Sequence, residues 1–151
     1  MRIKIEINNQ IDDNEIIIRC KDFNNEIKDI QNLLLDRVNK YASLEFFKNN
    51  KEYYLSLQNI LFFETNTTNL DAHTKDDIYK VKYKLYELEE ILPSEFVRVS
   101  KSAIINIRHV YAITKNITST SLVEFKNTEK KMYVSRNYYK NLKLKLSEKR
   151  I

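Results

Sequence analysis

The 151-residue chain is expected to adopt an α+β fold, mainly antiparallel β with short helices, preceded by a small ββα extension. Two observations carry that expectation. Short runs of β-branched and aromatic residues recur along the chain, separated by Asn- and Thr-rich breaks suited to hairpins. Helical spacing of apolar residues is confined to three stretches, about 25–38, 84–92 and 136–148.

Taken in order, Arg2-Ile3-Lys4-Ile5-Glu6-Ile7 alternates with period two and predicts a first strand. A polar turn over 8–14 leads to a second strand over 15–20. Asn24 can cap a helix over 25–38 whose apolar stripe is Ile27, Ile30, Leu34 and Val38, with Lys28, Asp29 and Asp36 outward. After a link at 40–43, strands over 44–48 and 52–56 flank Asn49-Asn50-Lys51 as a hairpin. Further strands follow over 60–64, 70–73 and 78–83. Leu85, Leu88 and Leu92 form the inner stripe of a short helix over 84–92, which Pro93 ends. Strands over 96–99, 110–114, 121–125 and 131–134 complete the β-rich part. Ser135 can cap a last helix over 136–148 with the stripe Tyr139, Leu142 and Leu146. The organisation read from this is an extension, 1–43, and a body, 44–151.

Composition narrows the chemistry. The chain has no Gly, which removes the P-loop, the dinucleotide fingerprint and the Gly-x-Ser-x-Gly elbow, all of which need close backbone approach or a sharp turn. Asn takes over the turns: Asn49-Asn50, 66–69, Asn116 and Asn127-Thr128 are the expected tips, because Asn tolerates positive φ. Cys20 is the lone cysteine, so an internal disulfide and a CxxC metal pair are excluded. The N-terminus carries no signal-peptide pattern and no apolar run approaches the ~18 residues of a membrane span, so a cytoplasmic location is expected.

The net charge of +5 hides an asymmetry. Residues 1–96 hold 13 Lys and Arg against 18 Asp and Glu, whereas 97–151 hold 13 against 3. So acid-poor a third of the chain draws polyanions. Within it lie two donor-rich islands free of carboxylates. Ser100-Lys101-Ser102 is bracketed by strand-like Phe96-Val97-Arg98-Val99 and Ala103-Ile104-Ile105-Asn106; Ser135-Arg136-Asn137 follows Val134.

Four pieces in order resemble the LytTR family of bacterial DNA-binding domains: Ile60-Leu61-Phe62-Phe63-Glu64, the helix Leu85 to Leu92 before Pro93, Phe96 to Asn106, and Val134-Ser135-Arg136-Asn137-Tyr138. The resemblance covers about 44–146 and implies an elongated β-fold that inserts loops, not a recognition helix, into successive major grooves of double-stranded DNA. It implies a stand-alone transcriptional regulator, since 1–43 is too short for a receiver domain. Carried onto this chain, the loops are 65–69 with Asn69, then Ser100, Lys101 and Ser102, then Ser135, Arg136 and Asn137. Lys101 stands where the family has Asn or Arg, so base preference does not carry over.

The side-chain chemistry fits those roles. Arg136 can lie bidentate on guanine O6 and N7 or hold a phosphate, Lys101 can donate to either, and Asn69 can pair with adenine. Arg98, Lys115, Lys140 and Lys143 are expected on backbone phosphate. Asn106, between Ile105 and Ile107, is read as structural. His73 and His109 lack metal-ligand spacing, while Asp76-Asp77 and Glu87, Glu89 and Glu90 read as solvated, not as catalytic pairs. Tyr138 or Tyr139 can border a nucleic-acid groove. No enzyme, cofactor or small-molecule substrate is expected. The extension is expected to pack on the body, to form a homodimer or to meet a membrane-resident regulatory protein. The competing reading is a protein-interaction module whose basic face binds an acidic protein or an anionic membrane.

Overall fold

Two adjacent asparagines, Asn49 and Asn50, take φ of 52° and 62°, the left-handed pair that a two-residue hairpin turn requires. They join β1 (Phe46–Lys48) to β2 (Lys51–Tyr53) with Lys48 opposite Lys51, so Asn does here what Gly does in other chains. The structure is a computed structural model that describes residues 2, 4–10, 14–42, 44–118 and 120–148, with side chains throughout except at 36–42. It divides into two compact units, Met1–Leu35 and Asp36–Ile151.

In the first unit, Asn24 caps α1 (Asn25–Ala42): its Oδ1 accepts from the Ile27 N–H at 3.0 Å. Ile27, Ile30 and Leu34 are half-buried, as the stripe requires, and the helix runs four residues past its expected end at 38. Val38 lies outside the described side chains. The two strands expected over 2–7 and 15–20 are corrected: their described residues form no strand. Ile5, Ile7 and Ile16 are 83%, 94% and 71% exposed. Alternation supplies an apolar face but no partner, and an isolated two-stranded ribbon is marginal in water.

The second unit has two antiparallel sheets. One holds seven strands in the order β2-β1-β5-β4-β3-β7-β6, with β3 (Phe62–Thr65), β4 (Leu70–His73), β5 (Ile78–Val81), β6 (Phe96–Arg98) and β7 (Ala103–Asn106). The other orders β8 (Val110–Thr114), β9 (Ser121–Phe125) and β10 (Lys131–Val134) as β10-β9-β8. α2 (Leu85–Ile91) joins β5 to β6, and α3 (Arg136–Glu148) follows β10.

Period two distributes the central strands between two cores. Phe63 on β3 and Ile104 on β7 bury against Leu85, Leu88 and Leu92 of the α2 segment. Their neighbours Phe62 and Ile105 bury against Val123, Phe125 and, on α3, Leu142. Asn106 is 1% exposed and structural as expected: its Nδ2 donates to the Ile60 carbonyl at 3.0 Å and its Oδ1 accepts from the Arg108 N–H at 3.0 Å. It ends β7 and opens a 3-10 turn, Ile107–His109.

The β9–β10 turn, where Asn127 takes φ of 59°, is latched to the β4–β5 turn. Lys130 Nζ donates to the Thr74 and Asp77 carbonyls at 2.8 and 3.0 Å, and Thr128 Oγ1 to the Lys75 carbonyl at 3.3 Å. Beneath the latch His73 stacks on Phe62 with centroids 4.2 Å apart. Burial, reinforced by the Lys130 ammonium, lowers the His73 pKa from 6.5 to about 4, with Asp71 opposing. The unfolded chain therefore binds more protons between those values, and stability is lost as pH falls through that window. His73→Phe is expected to flatten this part of the stability profile by up to about one proton. Urea unfolding at stepped pH measures it; an unchanged slope refutes the assignment.

Candidate nucleic-acid interface

Two polar segments leave the same end of the seven-stranded sheet, and a third, following β10 of the other sheet, is bonded to one of them. The first, 66–69, connects β3 to β4 and is organised by Asn66. Its Oδ1 accepts from the N–H groups of Thr68 and Asn69 at 3.0 and 2.8 Å, and its own N–H donates to the Asn69 carbonyl at 2.9 Å. Asn69 stands exposed, its Nδ2 donating to Thr68 Oγ1 at 2.8 Å.

The second, 99–102, is the β6–β7 loop. The Val99 N–H donates to the Ala103 carbonyl at 3.0 Å, and Ser100 Oγ accepts from the Ser102 N–H at 3.1 Å while lying 3.2 Å from Ser102 Oγ. The two hydroxyls thus shape the loop as well as offering donors. Lys101 projects from its tip, exposed, with no hydrogen-bond or ion-pair partner for its ammonium among the described residues.

The third begins α3. Tyr138 N–H donates to the Ser135 carbonyl at 3.0 Å, but the Ser135 hydroxyl makes no capping bond among the described residues, which corrects the cap expected of it. Arg136, Asn137 and Lys140 are exposed on the first turns. A backbone bond at each junction brings the three segments together. Thr65 N–H donates to the Ser102 carbonyl at 2.8 Å, and Ser135 N–H to the Val99 carbonyl at 2.9 Å. Lys101 and Arg136 therefore belong to neighbouring segments of one rim.

Arg98 departs from expectation and is a correction. Its guanidinium holds the loop from behind: Nε donates to the Ser100 carbonyl at 2.6 Å, Nη2 to the Lys101 carbonyl at 2.7 Å, and Nη1 to Glu89 Oε2 on α2 at 2.6 Å. All three of its nitrogens donate to the protein and its side chain is largely buried, so it positions Lys101 instead of standing free to meet phosphate. Glu89, expected to be simply solvated, is its counter-ion. The signal was present: Arg98 alternates with Val97 and Val99 and so shares Phe96's face, the one α2 covers. Lys115 lies over the Tyr139 ring at 5.2 Å. Tyr138 and Tyr139 are half-buried and pack on the core. His109 Nε2 lies 2.5 Å from the Gln58 carbonyl.

Donor-rich loops thus gather on one rim of an antiparallel β-scaffold. Residues 50–147 match the LytTr DNA-binding domain family, and the chain belongs to that family. Relatives extend beyond those residues. An uncharacterised HTH-type transcriptional regulator of Staphylococcus aureus strain MSSA476 is 27% identical over 147 residues, 97% of this chain and 99% of its own length. Another, from the bovine S. aureus strain RF122/ET3-1, is 28% identical over 149 residues with the same coverage. A solved LytTr DNA-binding domain from Bacillus cereus superposes with a TM-score of 0.63 at 24% identity, over 69% of this chain and 96% of that one, which supports the fold. The described residues contain no two consecutive helices, so the helix-turn-helix in the relatives' names has no counterpart among them. No described helix is long and apolar enough to cross a membrane, and no metal-binding cluster occurs among the described residues.

Proposed function

We propose that this chain is a sequence-specific transcriptional regulator that reads double-stranded DNA with three loops entering successive major grooves. The observation that supports the proposal is the rim itself: 65–69, 99–102 and 135–137 are joined by backbone hydrogen bonds and contain no carboxylate. Arg136 donates in bidentate fashion to guanine O6 and N7 in one major groove, Lys101 to guanine acceptors in another, and Asn69 to adenine. Ser100, Ser102, Ser135, Asn137 and Lys140 add donors toward phosphate and set register.

Selection of bound duplexes from a random pool tests the reading. A regulator of this kind enriches one motif, prefers it over scrambled competitor and loses affinity steeply with salt. Equal binding to every duplex, with preference for anionic vesicles or an acidic protein, instead favours an interaction module.

Loop positioning gives a separate expectation. Arg98→Lys keeps the charge but loses the planar fork that spans two carbonyls and a carboxylate. Affinity for the selected duplex is expected to fall roughly tenfold, or about 1.4 kcal/mol, within the range for charge-assisted bonds discounted for partial exposure. Hydrogen exchange at 100–102 should rise while the urea midpoint changes little. Unchanged exchange removes Arg98 from this role.

The N-terminal segment is assigned to self-association in the cytoplasm, supported by the exposure of Ile5, Ile7, Ile16, Phe23 and Leu33. Light scattering at tens of micromolar should report a dimer. A strict monomer that captures a membrane-resident partner through this segment assigns it to heterologous contact instead.

A further inference from the structure

The rim extends past the three loops. β4 and β5 pair with Leu70 opposite Val81, so the chain leaving β5 emerges beside the point where 66–69 enters β4. β3 pairs with β7 through Glu64 opposite Ala103, which carries the same end of the sheet on to 100–102. Along this rim the segments run 82–84, then 66–69, then 100–102, and from β5 to β7 the span is about 14 Å at ordinary strand spacing.

Lys82-Tyr83-Lys84 lies in the acidic part of the chain by sequence, yet at the loop end of the sheet in space. Both lysines are exposed, and neither makes an ion pair among the described residues. Lys82 Nζ rests 4.3 Å from the centroid of the Phe47 ring, a contact that holds the ammonium at the surface without neutralising it. Lys80, on β5 itself, sits opposite Asp71 in register. An open groove of about 560 Å³ is lined by 65–70 and 80–85 together with Phe47, and Thr67, Thr68, Asn69, Lys82 and Lys84 are among its lining residues.

We propose that Lys82 and Lys84 form a fourth contact segment that grips DNA phosphates outside the groove entered by 66–69. The proposal rests on the DNA-reading function and adds a partner surface to it. Compact ammonium groups beside hydroxyl and amide donors suit a phosphodiester strand; they lack the planar fork that selects a base edge. Their contribution is therefore to affinity and register, not to sequence preference.

The experiment uses the full chain and the duplex obtained by selection. Binding of the wild type, Lys82→Ala/Lys84→Ala and Lys82→Arg/Lys84→Arg is titrated across salt, with Arg136→Ala beside them. The alanine pair is expected to flatten the plot of log affinity against log salt by roughly one to two units, with the ratio of cognate to scrambled binding unchanged. Phosphate-ethylation interference at the flank bordering the first loop should vanish, and the arginine pair should restore it. An unchanged salt slope and unchanged interference overturn the proposal while leaving the DNA reading intact. A wild type with no preference for any duplex overturns both.

Discussion

Arg136→Ala is expected to weaken binding to the cognate duplex by about 1–3 kcal/mol, some 5- to 150-fold, and to relax base preference at one position of the site. Arg136 is exposed at the start of α3, and no described residue pairs with its guanidinium, so its donors are available to a ligand. Its backbone is fixed nonetheless, because Ser135 is tied to Val99 in the neighbouring loop. A fork anchored at its backbone and left unpaired keeps all its donors for a ligand, with only the side chain itself to be ordered at binding. The fold should be untouched: the residue contributes nothing to either core, and surface changes of this kind shift stability by less than about 0.5 kcal/mol. Competition titrations against single-base variants of the site measure the effect. A uniform loss over all sequences makes Arg136 a phosphate contact only.

Phe63→Ala is expected to cost about 3–5 kcal/mol of stability, a large part of the roughly 5–15 kcal/mol that holds a domain of this size. Phe63 is fully buried on β3, its ring 5.8 Å from Phe96, in the core that α2 covers. β3 is hydrogen-bonded to β4 on one side and β7 on the other, so a cavity here loosens the strands that carry two rim segments. Equilibrium urea unfolding reads the change as a lower midpoint. Ile117→Ala, at a residue 89% exposed, is the control and should move the midpoint hardly at all. Equal midpoints for both variants contradict the assignment of Phe63 to the core.

Local pattern made much of this fold legible. β4, β8, β9, β10 and α3 occur at the bounds that period and turn residues predict, and the Asn49-Asn50 hairpin has the expected positive φ values. The island Ser100-Lys101-Ser102 was readable as a polar stretch anchored by strand-like flanks, whereas the pairing of β6 with β7 that makes it a hairpin loop was not. What escaped depends on partners distant in sequence. The alternation at 2–7 and the β-branched run at 15–20 look like those of true strands, but whether a strand pairs is decided by an available edge, which local pattern does not encode. Arg98 was misassigned because charge alone was read at a position where strand face and an α2 carboxylate decide its role. Lys82 and Lys84 went unnoticed for a related reason. Summing charge over 1–96 gives an acidic segment, whereas the pairing of β5 with β4 carries these two cations to the basic rim.

The central claim is that one rim engages one face of a duplex through its major grooves. Methylation protection at guanine N7 on the selected duplex tests it most directly, because N7 lies in the major groove alone. The account predicts protected guanines in clusters about 10 base pairs apart on one face, with Arg136→Ala and Lys101→Ala each releasing a different cluster. Specific binding that leaves N7 open to methylation, or protection distributed around the whole duplex, contradicts it.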